Sequence, residues 1–320
     1  MAPAEALRDA ATWRLLARFD LDAAIAVRPH HAEEAVGWVE RARESGVRAA
    51  LWPMIEDGEG RWLSAVNAGP FAAFVREVRA RAPGADVVLD LEPPFALVRG
   101  ALDGRPGAAR GLLSLARETE GRRAGMEVIG ALCRELREEG ARITLGVVPF
   151  VLADRGERGW GRVFGGPRGL AADHVNVMLY TTLVEGYSRG LFRREDARAL
   201  LAEGCRAAAE RFGARASVSV GAVGAGALGD EPVYADAAAL ADDVAIALAA
   251  GVRDLWLFDL GGVLSRGAPE RWLTAFTRPG ALGELPRATL RSRGAIAALW
   301  AASLGIGAAS GDRAGGGGGG

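Results

Sequence analysis

Lysine and glutamine are missing altogether from the 320 residues, and cysteine (2), histidine (3) and tyrosine (3) are scarce. Without lysine every cation apart from histidine is arginine, which most simply reflects a GC-rich genome. Cys133 and Cys205 stand in helix-like stretches with no pair spacing for zinc or a redox motif, so both are expected to be buried and reduced. A net charge of −1, spread along the chain, speaks against a nucleic-acid partner and against an acidic-lipid surface. No apolar run reaches the roughly 20 residues that a membrane span needs. "GAIAALWAASLGIGAAS" at 294–310 comes nearest and reads as a terminal helix. The opening "MAPAEALRDAATWRLL" has no charged segment followed by an apolar one; no secretory signal is visible, and a cytoplasmic location is the default expectation. No Gly-rich phosphate loop follows the first apolar run, which weakens a dinucleotide reading, and no cofactor is expected.

What is present is an α/β pattern. Half of the residues are apolar (50%), enough for a full core. Short β-branched runs at 22–28, 47–54, 86–92, 142–149, 174–181, 215–221 and 252–259 alternate with stretches of helical period at 31–45, 70–81, 107–139 (broken near Gly121), 193–212 and 234–250. "ESGVRAA", "EEGARITL", "RFGARASV" and "AAGVRDLW" repeat one device, a helix closed by glycine with a strand directly after it. Loops that follow strands are longer and richer in Gly, Pro, Trp and acids. In a (β/α)8-type TIM barrel that asymmetry marks the C-terminal ends of the strands as the functional face. The expected organisation is an N-terminal helix at 1–21, the barrel at 22–287, an apolar helix at 288–309 and a flexible Gly-rich tail at 310–320. Seven strands are legible, so the first of eight is expected to be missing or degenerate.

Side chains alternate along a strand, and parity sorts them into inward and helix-facing sets. In "DVVLDLEPP" (86–94), Val87, Leu89 and Leu91 share one face while Asp86, Val88, Asp90 and Glu92 share the other, so the acids are expected to point inward. The same rule groups Asn176, Met178 and Tyr180, and it turns Trp52, Trp256 and Phe258 inward, with Glu56 just beyond its strand and Asp254 at a strand base. Arg28 ends the first strand at the rim. Aromatic rings around two carboxylates suit a sugar, whose C–H faces stack on rings while acids take its hydroxyls. Two carboxyls at i and i+2 repel when both are ionised, so one tends to keep a proton, as a general acid must.

This pattern resembles the chitinase-like family 18 glycoside hydrolases. Their fourth strand carries D-x-x-D-x-D-x-E, their sixth M-x-Y followed by Asp or Asn, and their eighth an inward Trp. Here "DLE" ends at Glu92, "NVMLYT" holds Met178 and Tyr180, and "DLWLFDLGG" holds Trp256. Counting back from the last strand as the eighth puts these on the fourth, sixth and eighth. The resemblance implies hydrolysis of a glycan with Glu92 as proton donor and Asp90 orienting an N-acetyl group whose oxygen attacks the anomeric carbon. Tyr180 would bond that acetamido group, and Met178, Trp256, Trp52, Arg28 and Asn176 would hold substrate. Three positions depart from the family: Ala85 and Val88 stand where it has aspartates, and Thr181 follows Tyr180. Glu56 is therefore the candidate for a second carboxylate facing Glu92.

Other readings stay open at this point. Asp90 and Glu92 could be a structural pair satisfied by Arg28, and Met178, Tyr180, Trp52 and Trp256 could be core. A non-catalytic sugar-binding barrel is one alternative; a divalent-metal hydrolase using Asp90, Glu92 and Glu56 is another. His30 and His31 open a helix, where adjacent histidines are expected to point apart into solvent, so no metal site is assigned.

Overall fold

The computed structural model describes residues 4–310 apart from positions 118, 155 and 227, so the expected tail from 311 onward lies outside the described residues. Each apolar run identified above becomes a strand: β1 (Ala23–Val27), β2 (Ala49–Pro53), β3 (Asp86–Leu91), β4 (Ile143–Val147), β5 (His174–Met178), β6 (Ala216–Ala222) and β7 (Asp254–Phe258). They pair in parallel in the order β1-β2-β3-β4-β5-β6-β7, with helices returning the chain between them. Gly46 and Gly140, at φ +76° and +80°, close the helices before β2 and β4, a conformation that costs a side-chain-bearing residue strain.

The odd-numbered residues of β1 to β5, such as Ile25, Leu51, Leu89, Leu145 and Val177, are buried against the helices, joined by Val218 and Val220 of β6. Each such side chain contributes roughly 2 kcal/mol by burial. A slip of one residue would turn the whole set toward the interior, so the register is strongly specified. The sheet curls far enough for Trp52 of β2 to meet Phe258 of β7, ring centroids 5.8 Å apart. The result is a curled, open-sided barrel of TIM-barrel type: β1 and β7 are its unpaired edges among the described residues.

No strand precedes β1 among the described residues. Residues 10–18 are helical because Asp9 accepts a hydrogen bond from Ala11 N–H (2.8 Å) and caps a helix that buries Trp13 and Leu16. The single helix expected over 1–21 is thereby split into Ala4–Arg8 and Ala10–Arg18. At the other end, the helix Leu290–Ala309 docks on the barrel wall, where Trp160 Nε1 donates to Leu299 O (2.8 Å). No helix among the described residues is long and apolar enough to cross a membrane. Cys133 and Cys205 are both free and buried in helices, and desolvation pushes their thiols up to about 11 and about 12.

Behind β5 and β6 a buried polar cluster fixes the helix layer. Asp243 accepts from Thr181 Oγ1, Tyr234 OH (2.8 Å) and Arg194 Nη2 (2.8 Å), and Arg194 also donates to Glu185 (2.9 Å). Asp243 is 0% exposed, so truncating it strands a guanidinium and two hydroxyls. Asp243→Ala is expected to cost about 3 kcal/mol, the lower end for a broken buried pair because Arg194 keeps Glu185. Urea unfolding checks this, and a loss below ~1 kcal/mol would show that the cluster does not hold the layer.

Candidate active site at the barrel mouth

β3 ends one residue before Glu92, and Pro93 and Pro94 offer no N–H to continue the ladder. The loop after β2 folds over this tip instead. Leu63 forms an isolated parallel bridge with Leu91, its N–H donating to Asp90 O (3.0 Å) and its carbonyl accepting from Glu92 N–H (3.1 Å). Asn67 braces that loop from within: its Nδ2 donates to Glu59 O (3.0 Å) and Trp62 O (2.8 Å), and its Oδ1 accepts from Ser64 N–H (2.9 Å). The backbone that carries both acids is therefore held by β4 on one side and by Leu63 on the other.

Asp90 is 6% exposed. One carboxyl oxygen accepts from Trp52 Nε1 (2.8 Å). The other lies over Gly146, its register partner on β4, where a Cβ would come within 2.0 Å of Oδ1. Only glycine leaves that space, which is the usual meaning of a glycine inside a strand. Burial pushes the Asp90 carboxyl up to about 7, with the Trp52 bond drawing it partly back. Glu92 keeps part of its surface open to the mouth, but loss of water pushes it well above the ordinary carboxylate range; the charges of Asp90 and Glu231 add to this and Arg61 opposes it. Both carboxyls are thus pushed toward their protonated forms.

Aromatic rings line the wall beside the acids. Phe258 is the hub, edge to face with Trp52 and stacked on Tyr180 at 6.1 Å and 19°. Burial first, then the Asp90 charge, keeps the Tyr180 hydroxyl protonated well past its usual range, and a hydrogen bond with Ser219 draws it partly back. Met178 and Trp256 line the same cleft deeper in the barrel. The interior below them is small or polar, Ala24, Ala26, Ala50, Thr144 and Gly146 among it, so the cleft runs inward where many barrels are filled by large side chains.

Three expected residues sit differently from the acids. Asn176 is buried with both amide ends committed, Nδ2 to Ser217 Oγ and Oδ1 from Ser219 Oγ, each at 2.7 Å, and it forms the floor of the cleft. Arg28 donates to Asp57 (2.8 Å) and Glu56 (3.4 Å), so it does not satisfy the Asp90 and Glu92 carboxyls. Asp57, bonded twice by Arg61 (2.8 and 2.7 Å) and once by Arg28, is held down at about 2. Glu56 has a side chain 52% exposed, lies near Arg28 and His30, and does not line the cleft. The oxygen set of Asp90, Glu92 and Glu56 is consequently not assembled, and among the described residues no three His, Cys, Asp or Glu are grouped to hold a metal. His30 and His31 do not point apart: their rings are 4.1 Å from each other, and His31 packs edge-on against Trp38.

Sequence reasoning missed Gly146, Arg61 and Glu231 and gave Phe258 no role. Gly146 was detectable as the lone glycine in the apolar run "RITLGVVP". Glu231 sits in the loop after β6, which Arg99 ties to the helix following Glu92 by an ion pair with Asp230 (2.8 Å). Nothing in "GDEPVY" announces that proximity, because it depends on a helix and a loop joined through residues 131 apart.

No protein-family model matches the chain, and no curated protein matches it. Among solved structures, the PgaB (BpsB) glycoside hydrolase domain from Bordetella bronchiseptica is similar, with a TM-score of 0.52 and 11% identity over 84% of this chain and 93% of that one. At that identity the likeness is one of fold.

A pH test follows from the buried acid. Unfolded, Asp90 ionises near 3.8; folded, it keeps its proton to about 7. Its contribution to stability is full below pH 4 and is lost as pH rises to about 7. Asp90→Asn, whose amide oxygen still accepts from Trp52, should flatten this decline, so its stability relative to the wild type improves steadily from pH 4 to pH 7 in urea midpoints. A pH-independent difference would show that Asp90 titrates like an exposed carboxylate.

Proposed function

We propose that this protein is a glycoside hydrolase acting on a carbohydrate substrate, with Glu92 as the proton donor. The observation that carries the reading is a carboxyl with a raised pKa, partly open to the barrel mouth, beside a row of aromatic rings. Glycosidic cleavage needs a proton delivered to the leaving oxygen, and a carboxyl still protonated near neutral pH supplies one. Trp52, Phe258 and Tyr180 offer faces on which a sugar ring can stack, and Trp256 and Met178 shape the deeper part of the cleft. Asp90, behind Glu92, adds its charge to the burial that raises the donor's proton affinity. The chitinase-like placement of "DLE", "MLY" and Trp256 supports the same reading, as does the fold shared with a glycoside hydrolase domain.

The direct test is a panel of N-acetylated and unacetylated oligosaccharides assayed for binding and for reducing-end release. Wild type is expected to cut at least one of them. Glu92→Gln should lower kcat by about 10²–10⁴, the usual contribution of a general acid, and keep binding within a few-fold. Binding without cleavage by the wild type would identify a sugar-binding barrel instead, and neither binding nor cleavage would end the carbohydrate reading.

A further inference from the structure

The helix Leu290–Ala309 has its polarity inside out. Its barrel face carries Ser292 and Ser303, 0% and 5% exposed, while its solvent face presents Trp300, Leu304 and Ile296 at 53%, 56% and 38%, and Leu290 at 88%. A surface helix normally has the reverse arrangement. Residues 294–310 hold no charge at all, and Ala297, Ala298, Ala301, Ala302 and Gly305 fill the exposed surface between the large side chains. The orientation is fixed by contacts on the other face. Trp160 Nε1 donates to Leu299 O (2.8 Å), Thr289 Oγ1 donates to Asp196 (2.6 Å), and Gly159 packs so closely on Ser303 that a Cβ there would come within 2.2 Å of its carbonyl oxygen. Rolling the helix to bury Trp300 would break these contacts.

The exposed stripe amounts to an apolar patch of roughly 500 Å², the size that marks a contact surface. Its order is self-complementary. In two antiparallel helices related by a two-fold axis between positions 300 and 301, Trp300 faces Ala301, Leu304 faces Ala297 and Ile296 faces Gly305, a large side chain against a small one each time. Charge agrees with that pairing. The helix has no acid in its first turn and no base in its last, and its cations, Arg291 and Arg293, stand at the N-terminal end, where the helix dipole disfavours them. Arg291 is met by Asp196 (3.5 Å), but Arg293 is exposed and forms no ion pair among the described residues. Antiparallel pairing sets position 293 opposite 308, against the free carbonyls at the C-terminal end of the second helix. A lipid surface has no counterpart to the large-to-small order, and the helix lacks the basic polar face of a membrane-surface helix.

We infer that the solvent face of the helix Leu290–Ala309 is a docking surface for a second copy of this chain, forming an antiparallel two-fold dimer centred on Trp300 and Ala301. Two such patches face to face cover about 1,000 Å², the lower edge of specific interfaces, so the dimer is a weak one with a dissociation constant in the micromolar range. The inference is independent of the glycosidase reading.

Sedimentation velocity on the full chain, from about 1 µM to about 500 µM, tests it. The wild type should pass from monomer to dimer across that range. Trp300→Glu and Leu304→Glu should stay monomeric throughout, with unchanged melting at the lowest concentration because both side chains are exposed in the monomer. Arg293→Glu should weaken association by about 10-fold at low salt. On mild oxidation Ala301→Cys should form a disulfide-linked dimer, Cys133 and Cys205 being buried. Two copies of Ala309→Cys stand roughly 25 Å apart in the antiparallel pair and should not cross-link. A wild type that is monomeric at every concentration, or a dimer that persists in Trp300→Glu, overturns the inference. Cross-linking of Ala309→Cys as readily as Ala301→Cys overturns the antiparallel two-fold. Co-sedimentation of a monomeric wild type, but not of Trp300→Glu, with vesicles of phosphatidylcholine and phosphatidylglycerol overturns it too, and gives the face to a lipid surface.

Discussion

Two carboxyl groups are held at the end of β3 where protein atoms have replaced water, and the loss of that water governs the surrounding structure. An ionised acid in such a place is costly unless it is bonded, and the alternative is to keep its proton. The chain uses both routes: the indole of Trp52 meets one Asp90 oxygen, and desolvation keeps protons on the pair. Gly146 then follows as a steric necessity, because any side chain on that β4 position would occupy the space of the Asp90 carboxyl. The bridge from Leu63 follows as well, since the strand tip beyond β3 would otherwise leave Asp90 O and Glu92 N–H without a partner on that side.

The same constraint separates the acids from the arginines nearby. Arg28 and Arg61 lie close to the mouth, and either could have quenched the pair by forming a salt bridge. Instead Asp57 engages both of them, and their hydrogen bonds and charges hold its carboxyl at about 2. Arg61 also stacks 3.6 Å over the Phe95 ring, and its charge draws Glu92 partly back.

Departures from the chitinase-like pattern fit this arrangement. Val88 removes the inward acid that would partner Asp90, and Asp90 turns to Trp52 and Gly146. Thr181, in place of an acid or amide after Tyr180, points away from the cleft to Asp243 and Arg194, where it pins the start of the helix Thr181–Tyr187. At both positions a buried residue stands where the chitinase-like pattern has an acid or amide.

Local periodicity carried most of the fold. Seven strands, their helix-closing glycines and the inward parity of Asp90, Trp52, Tyr180 and Trp256 were legible, because alternation and cap chemistry act over a few residues. So was the identity of the acid-bearing tip, where Asp90 and Glu92 interrupt an apolar run just before two prolines. Tertiary structure alone decided what those residues meet: that Glu56 turns outward to Arg28, that Asn176 is consumed by Ser217 and Ser219, and that Glu231 comes to the mouth. These depend on long loops whose paths are set by packing and by ion pairs such as Arg99 with Asp230, between residues 131 apart. Strand parity says which way a side chain points; only the curl of the sheet says what stands opposite it.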